Sequence, residues 1–299
     1  MNDSLIRSAA FAEINRRVQI CGTSLPWEEI IRTFRIGEEE VYITNRARGI
    51  FKPKQMQRGI LSVKSTFPRS GRPRRYVDDR LGESLFYSLQ GDDPLGHDNR
   101  RLKEAFDDQT PFIYFFGVSA ARYEVLWPAY VLRWLPNELK IEIRVADNIA
   151  DDSDSSVVRE DTRRYGSRHV QQRLHQAAFR EMVLDAYDGR CSLTGFPVRT
   201  LLHAAHIYPD GHRNGFAAVT NGIALSALHH LAYDGKLIGI DPDGRVEVSE
   251  RILSQKDGPM LEGGLKALHR QLMRFPRDSD FRPDRDALAF RFEEFRAAI

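Results

Sequence analysis

The sequence predicts an α+β protein of two domains, a curled sheet or barrel first and a smaller strand-and-helix domain after it. Three observations carry this. Between residues 41 and 147, six strand-like runs follow one another with a single helix among them. Residues 148 to 158, NIADDSDSSVV, are acidic, serine-rich and poor in large apolar side chains, as linkers are. Beyond them, a strand, a loop and a helix between His203 and Asp234 carry five of the chain's nine histidines. The expected boundaries are 1–147 for the first domain, 148–160 for the linker and 161–299 for the second.

The elements follow from spacing and residue type. Residues 4–18 and 26–35 are predicted helices, the second because Trp27, Ile30, Ile31 and Phe34 fall at i, i+3, i+4 and i+7. Strands are predicted at 41–45, 59–65, 84–90, 111–118, 122–133 and 140–147. In the last, Ile141, Ile143 and Val145 alternate with Glu142 and Arg144. A helix over 97–107 interrupts the series, and a long one is predicted over 167–187. Leu201 to Ile207 reads as a strand, and Asn221 to Asp234 as a loop running into a helix. A hairpin follows, LIGI and RVEV about a turn at Asp243-Gly244. The tail from 260 alternates helical patches with Pro276 and Pro283, and no internal repeat is present.

Composition sets bounds. A chain of 299 residues, 41% hydrophobic and 29% charged, holds two domains of ordinary globular type. A net charge of +2 gives no argument for nucleic acid. Of 44 basic residues only eight are lysine, and arginine's planar fork suits phosphates and base edges; a coding bias toward arginine accounts for the excess equally well. The two cysteines, Cys21 and Cys191, form no CxxC, which excludes a four-cysteine zinc knuckle and suggests a reducing compartment. The N-terminus has no signal-peptide core, and the longest apolar run, 111–121, is too short to cross a bilayer. A cytoplasmic protein with no membrane partner is expected.

The histidine-rich segment reads LLHAAHIYPDGHRNGFAAVTNGIALSALHHLAYDG from Leu201. Imidazole, carboxamide and carboxylate hold divalent metals and exchange protons near neutral pH. His230 and Asp234 are spaced i, i+4, on one helix face. The order strand-His, loop-Asn, helix-His resembles the HNH nucleases, whose ββα-metal fold cuts phosphodiester bonds. The resemblance rests on Arg190-Cys191, Thr194-Gly195, Ala204-Ala205-His206-Ile207 with Pro209, Asn221-Gly222 with Leu225, His230, and Tyr233-Asp234-Gly235. The upstream QAAFREMVLDAY, Gln176 to Tyr187, also looks like this family, so the likeness covers about 160–299. It implies His206 as general base, Asn221 as the group that orients that imidazole or ties down the loop, His230 as catalytic metal-binding histidine, and Asp234 as a second ligand. Many HNH nucleases place a metal-binding Asp or His just before the base; Ala205 stands there in this chain. His203 shares the face of position 205 and is a candidate for the missing ligand, although displaced about 7 Å along the strand. His212 and His229 receive no role.

A second constellation lies in the first domain. Tyr76 and Tyr87 flank Asp78-Asp79, and two rings with a carboxylate are what a pocket for a flipped base needs. Tyr76-Val77-Asp78-Asp79, Tyr87, and the helix carrying Asn99 and Leu102 resemble the SRA domain, a PUA-like curled barrel that reads 5-methylcytosine by base flipping. That resemblance implies Tyr76 and Tyr87 as stacking residues and Asp79 as the group that bonds the cytosine edge. The family's glycine pair before the first tyrosine is Arg74-Arg75 here, and its later glycine-rich run is thinned to Gln90-Gly91. Arg72, Arg74 and Arg75, in RSGRPRR, form a candidate DNA-binding loop; a merely solvated loop has the same composition.

Together the two resemblances imply a modification-dependent restriction endonuclease of the SRA-HNH kind. It would recognise 5-methyl- or 5-hydroxymethylcytosine in double-stranded DNA and hydrolyse nearby phosphodiester bonds. The implied cofactor is a divalent ion, Mg2+ or Mn2+, with Co2+ and Ni2+ as further candidates. One site serves one scissile phosphate, so a homodimer is expected. Two alternatives stay open: an HNH endonuclease that reads something other than modified cytosine, and a modified-DNA binding protein with an inactive HNH unit.

Overall fold

A computed structural model describes residues 2–65, 67, 85–146, 160–209, 212, 215, 217–256 and 258–298, the side chains of 160–171 excepted. The chain divides into two compact units, residues 1–177 and 178–299. The 148–160 linker reading lies almost wholly outside the described residues.

The first unit opens with helix α1 (Asp3–Cys21), capped by the Asn2 side chain, which accepts from Ser4 N. Then come β1 (Ser24–Pro26), the four-residue helix α2 (Trp27–Ile30), and the strand pair β2 (Phe34–Ile36) and β3 (Glu39–Val41). The helix expected over 26–35 therefore stops at Ile30. Gly37, at φ 63°, takes the left-handed turn that pairs β2 with β3. Trp27, Ile30 and Phe34 still enter one core cluster, so their spacing reports a shared buried side and not a continuous helix.

Strands β4 (Ile50–Phe51), β5 (Ser62–Lys64), β6 (Leu85–Ser88), β7 (Phe112–Ser119), β8 (Arg122–Leu135) and β9 (Lys140–Val145) complete the sheet, with α3 (His97–Asp107) between β6 and β7. Among the described residues the order is β4-β5-β7-β8-β9-β6, with β1 on β8. Among the described strand pairs of this sheet, β5–β7 is parallel and the others are antiparallel. The result is a mixed α+β unit with a curled half-barrel, whose path among the described residues runs from β4 at one end to β6 at the other.

Strand β7 shows why its sequence is apolar up to the closing Ser119. Phe112, Tyr114 and Phe116 enter one core cluster with Leu102 of α3, while Ile113 and Phe115 enter the other with Ile6 and Ile14 of α1. Period-two alternation serves two buried faces, so both sets of alternate residues from Phe112 to Val118 carry apolar or aromatic side chains or glycine. Asn99, 1% exposed, accepts from Gln90 N at 2.9 Å and donates to the carbonyls of Gln90 at 2.9 Å and Asp93 at 2.7 Å. It thereby fastens the loop after β6 to α3.

The second unit begins within helix α4 (Glu160–Ala186). Strands β10 (Leu202–His206) and β11 (Gly222–Ser226) form an antiparallel pair, followed without a break by α5 (Ala227–Asp234). The segment before α5 is thus a strand where a loop was expected. Its residues do not alternate in polarity because both faces are buried. Strands β12 (Ile238–Ile240) and β13 (Val246–Val248) make the expected hairpin. Asp241 accepts from the Asp243 and Arg245 amides and Gly244 sits at φ 82° in its turn. Short helices α6 (Glu250–Leu253) and α7 (Pro259–Gly264) precede α8 (Arg285–Arg296), whose Leu288 and Phe295 are buried in the core of this unit.

Candidate active site

The β10–β11 register pairs His203 with Leu225, Ala205 with Ile223 and His206 with Gly222. Paired residues project to the same side of a sheet and successive residues to opposite sides. His203 and His206, three positions apart, therefore leave opposite faces of β10.

His206 stacks on Phe179 of α4, ring centroids 4.0 Å apart and planes 14° from parallel. Its strand partner Gly222 explains the close approach of α4. A Cβ at Gly222 would lie 2.3 Å from Val183 Cγ2 and 2.9 Å from Phe179 Cζ. Glycine is thus needed at 222 for helix packing, and Phe179 can lie flat beneath the imidazole.

Asn221 supplies the connection. Its side-chain oxygen accepts from Tyr208 N at 2.8 Å and its amide donates to Tyr208 O at 3.3 Å. Its own carbonyl accepts from Ile207 N at 3.0 Å. These contacts tie the chain just beyond His206 to the start of β11. Tyr208 also stacks on His212 at 4.7 Å, and both rings meet Phe290 at 5.1 Å.

On the other face His203, His230 and Asp234 stand in a row. His203 Nδ1 lies 3.0 Å from His230 Nδ1, with the rings edge to face. His230 Nε2 lies 3.2 Å from Asp234 Oδ2. Desolvation lowers the His203 pKa, and His230 and Arg180 lower it further. Arg180 is held by the carbonyls of Arg199 at 2.9 Å and Leu202 at 3.0 Å. The structure thus brings His203, His230 and Asp234 together, and separately His206, Asn221 and Phe179.

Among the described residues no three His, Cys, Asp or Glu side chains converge as a metal-holding group. The His203–His230 pair nevertheless fits a divalent ion. Two nitrogens each about 2.1 Å from one cation, on adjacent coordination positions, lie about 3.0 Å apart. Asp234 is on the opposite nitrogen of His230 and does not face this position.

A neighbouring buried cluster fixes α5. Cys191 Sγ lies 3.3 Å from His229 Nδ1, Ser226 Oγ lies 2.8 Å from the same nitrogen, and His229 Nε2 meets Gly264 O at 2.8 Å. Burial pushes the Cys191 thiol up, but His229 and hydrogen bonds at Thr194 and Ser226 overcome it and bring it to about 6. Burial lowers the His229 pKa, yet Cys191 and the Gly264 carbonyl leave it raised. His229, given no role from sequence, is a packing residue next to His230.

In the first unit Tyr87 is 4% exposed and meets Tyr114 edge to face at 6.2 Å. Its ring packs in the core cluster of the sheet among the described residues. Tyr76, Asp79, Arg72, Arg74 and Arg75 lie outside the described residues. Phe179 and Arg291 receive no role from the sequence. Their contacts join positions far apart in sequence, and no local spacing announces them.

Residues 191–241 match the family described as HNH endonuclease, a span that contains β10, β11 and α5. The chain is a DNA endonuclease by this match, and nucleases of this family generally use a divalent metal ion. No curated protein matches the chain. The solved structure of a modification-dependent restriction endonuclease, TagI, superposes with a TM-score of 0.32 at 18% identity, covering 79% of this chain and 82% of that one. A superposition this loose carries no conclusion. Among the described residues no helix is long and apolar enough to cross a membrane.

Proposed function

We propose that the chain is a modification-dependent endodeoxyribonuclease in which the second unit cuts DNA that the first has read. One observation carries the nuclease half: His206, Asn221 and His230 occupy the strand end, the loop junction and the helix of a ββα unit inside the matched segment. His206, its ring plane set by Phe179, takes the proton of the attacking water. Asn221 keeps the chain beyond it in place. His203 and His230 hold the divalent ion, with His203 standing in for the ligand that Ala205 cannot supply. When bound, that ion supplies positive charge to the phosphate as it becomes pentavalent and to the leaving oxygen.

The reading half is supported by the sequence resemblance alone. Tyr76 and Asp79 are assigned to a pocket for 5-methyl- or 5-hydroxymethylcytosine, and Arg72, Arg74 and Arg75 to the DNA backbone or groove. The proposed division is reader 1–147, linker 148–160 and nuclease 161–299. A homodimer provides two sites for the two strands. The test uses matched plasmids, methylated and unmodified, incubated with Mg2+, Mn2+, Co2+ or Ni2+. Nicked and linear product from the methylated plasmid alone is expected. Equal cutting of both would remove the modified-cytosine reading, and no cutting with any ion would remove the nuclease.

A further inference from the structure

The contacts around His230 separate a metal-facing nitrogen from a protein-facing one. Nδ1 looks at His203 Nδ1 across 3.0 Å, while Nε2 looks at Asp234 Oδ2 across 3.2 Å. The two nitrogens of one imidazole point apart, so a group bound between the histidines is out of reach of that carboxylate oxygen. The other Asp234 oxygen accepts from Arg291 at 3.1 Å. Arg291 is itself anchored: its side chain is 12% exposed, its second nitrogen donates to Glu294 at 2.9 Å, and its guanidinium lies 5.1 Å from the centre of the Tyr233 ring. Asp234 is therefore a carboxylate held at both ends.

We propose that Asp234, steadied by Arg291, is a positioning residue and not a metal ligand: it accepts the Nε2–H of His230 and turns the Nδ1 lone pair toward the position shared with His203. A neutral imidazole carries one N–H, and an ionised carboxylate only accepts. The proton of His230 consequently belongs on Nε2. Without a cation, the 3.0 Å Nδ1 contact is closed by an N–H from His203; with one, both lone pairs serve as ligands. A carboxylate behind a metal-binding histidine fixes the ring and raises its basicity. This inference rests on the proposal that His203 and His230 hold the ion.

The test uses the full-length protein in two measurements. In the metal-free wild type, 15N NMR of the histidine rings should show neutral His230 protonated at Nε2, and Asp234→Ala should shift that equilibrium toward Nδ1–H. In Co2+ titrations followed by visible absorbance, Asp234→Ala should weaken binding about 10- to 100-fold. Its band shape at saturation should match the wild type, because no ligand has left. Asp234→Asn, whose side-chain oxygen still accepts, should recover part of the affinity. His203→Ala should change the band itself. An altered saturated band in Asp234→Ala, affinity within twofold of wild type, or an Nδ1-protonated His230 in the wild type would each overturn the inference alone. A wild type that binds no Co2+ would overturn the metal reading and this inference with it.

Discussion

Gly222→Ala tests how closely α4 is fitted to the β10–β11 strand pair. The added Cβ would sit 2.3 Å from Val183 Cγ2 and 2.9 Å from Phe179 Cζ, both on side chains no more than 2% exposed. Carbon atoms settle at about 3.5–4.0 Å, so Val183 must yield by more than about 1 Å where nothing is open. Overpacking of this kind costs about 1–3 kcal/mol. The same displacement moves Phe179, on which His206 stacks, and an aromatic contact worth about 0.5–1.5 kcal/mol allows up to about a tenfold further loss in nicking rate. Val183→Ala deletes the clashing atom at a cost of its own of about 2 kcal/mol. The double variant should then be more stable than the sum of the single variants by about 1–2 kcal/mol. Urea unfolding of the four proteins, with plasmid nicking on the same samples, gives both quantities. Additivity within about 0.5 kcal/mol would refute the packing argument.

Other predictions follow from single contacts. Glu181 is fully buried and meets Arg180 at 2.5 Å and Arg199 at 2.6 Å; Glu181→Ala should cost about 1.5–3 kcal/mol in urea unfolding, and a loss under about 0.5 kcal/mol would contradict the pairing. Asn221→Ala leaves the Tyr208 amide without its side-chain acceptor, at about 1–3 kcal/mol, so that amide should exchange at least about tenfold faster, and unchanged protection would count against the loop-fastening role. Cys191 is 0% exposed and Cys21 only partly covered; despite a thiol brought to about 6, Cys191 should react with an aromatic disulfide only on unfolding, while Cys21 reacts in the native protein, and equal rates would contradict its burial.

Much of the architecture was legible because local pattern and tertiary need agree. Helix α3 has the predicted bounds, His97–Asp107. The β12–β13 turn needs a glycine at φ 82°, and Asp243-Gly244 announces it. Strand β9 lies where predicted, but its burial does not alternate: Glu142, between the buried Ile141 and Ile143, is itself buried and pairs with Arg133. Residues 26–35 misled because four apolar side chains at helical spacing meet in one cluster although the chain turns at Gly37. β11 escaped because Gly222, Ile223, Ala224 and Leu225 are buried on both faces and show no alternation. At the site, the His206, Asn221 and His230 spacing was readable since all three lie within one ββα unit. The ring under His206 and the guanidinium behind Asp234 come from α4 and α8, and only the folded chain brings them in.

The most direct measurement is single-turnover nicking of a methylated plasmid by wild type and His206→Ala, alongside binding of a methylated duplex. Wild type should nick in the presence of a divalent ion and stop on addition of EDTA. His206→Ala should bind the duplex as wild type does and nick at least about 100-fold more slowly, the usual contribution of a general base. Residual nicking above about 10% of wild type would contradict the assignment of His206 as the group that takes the proton from water.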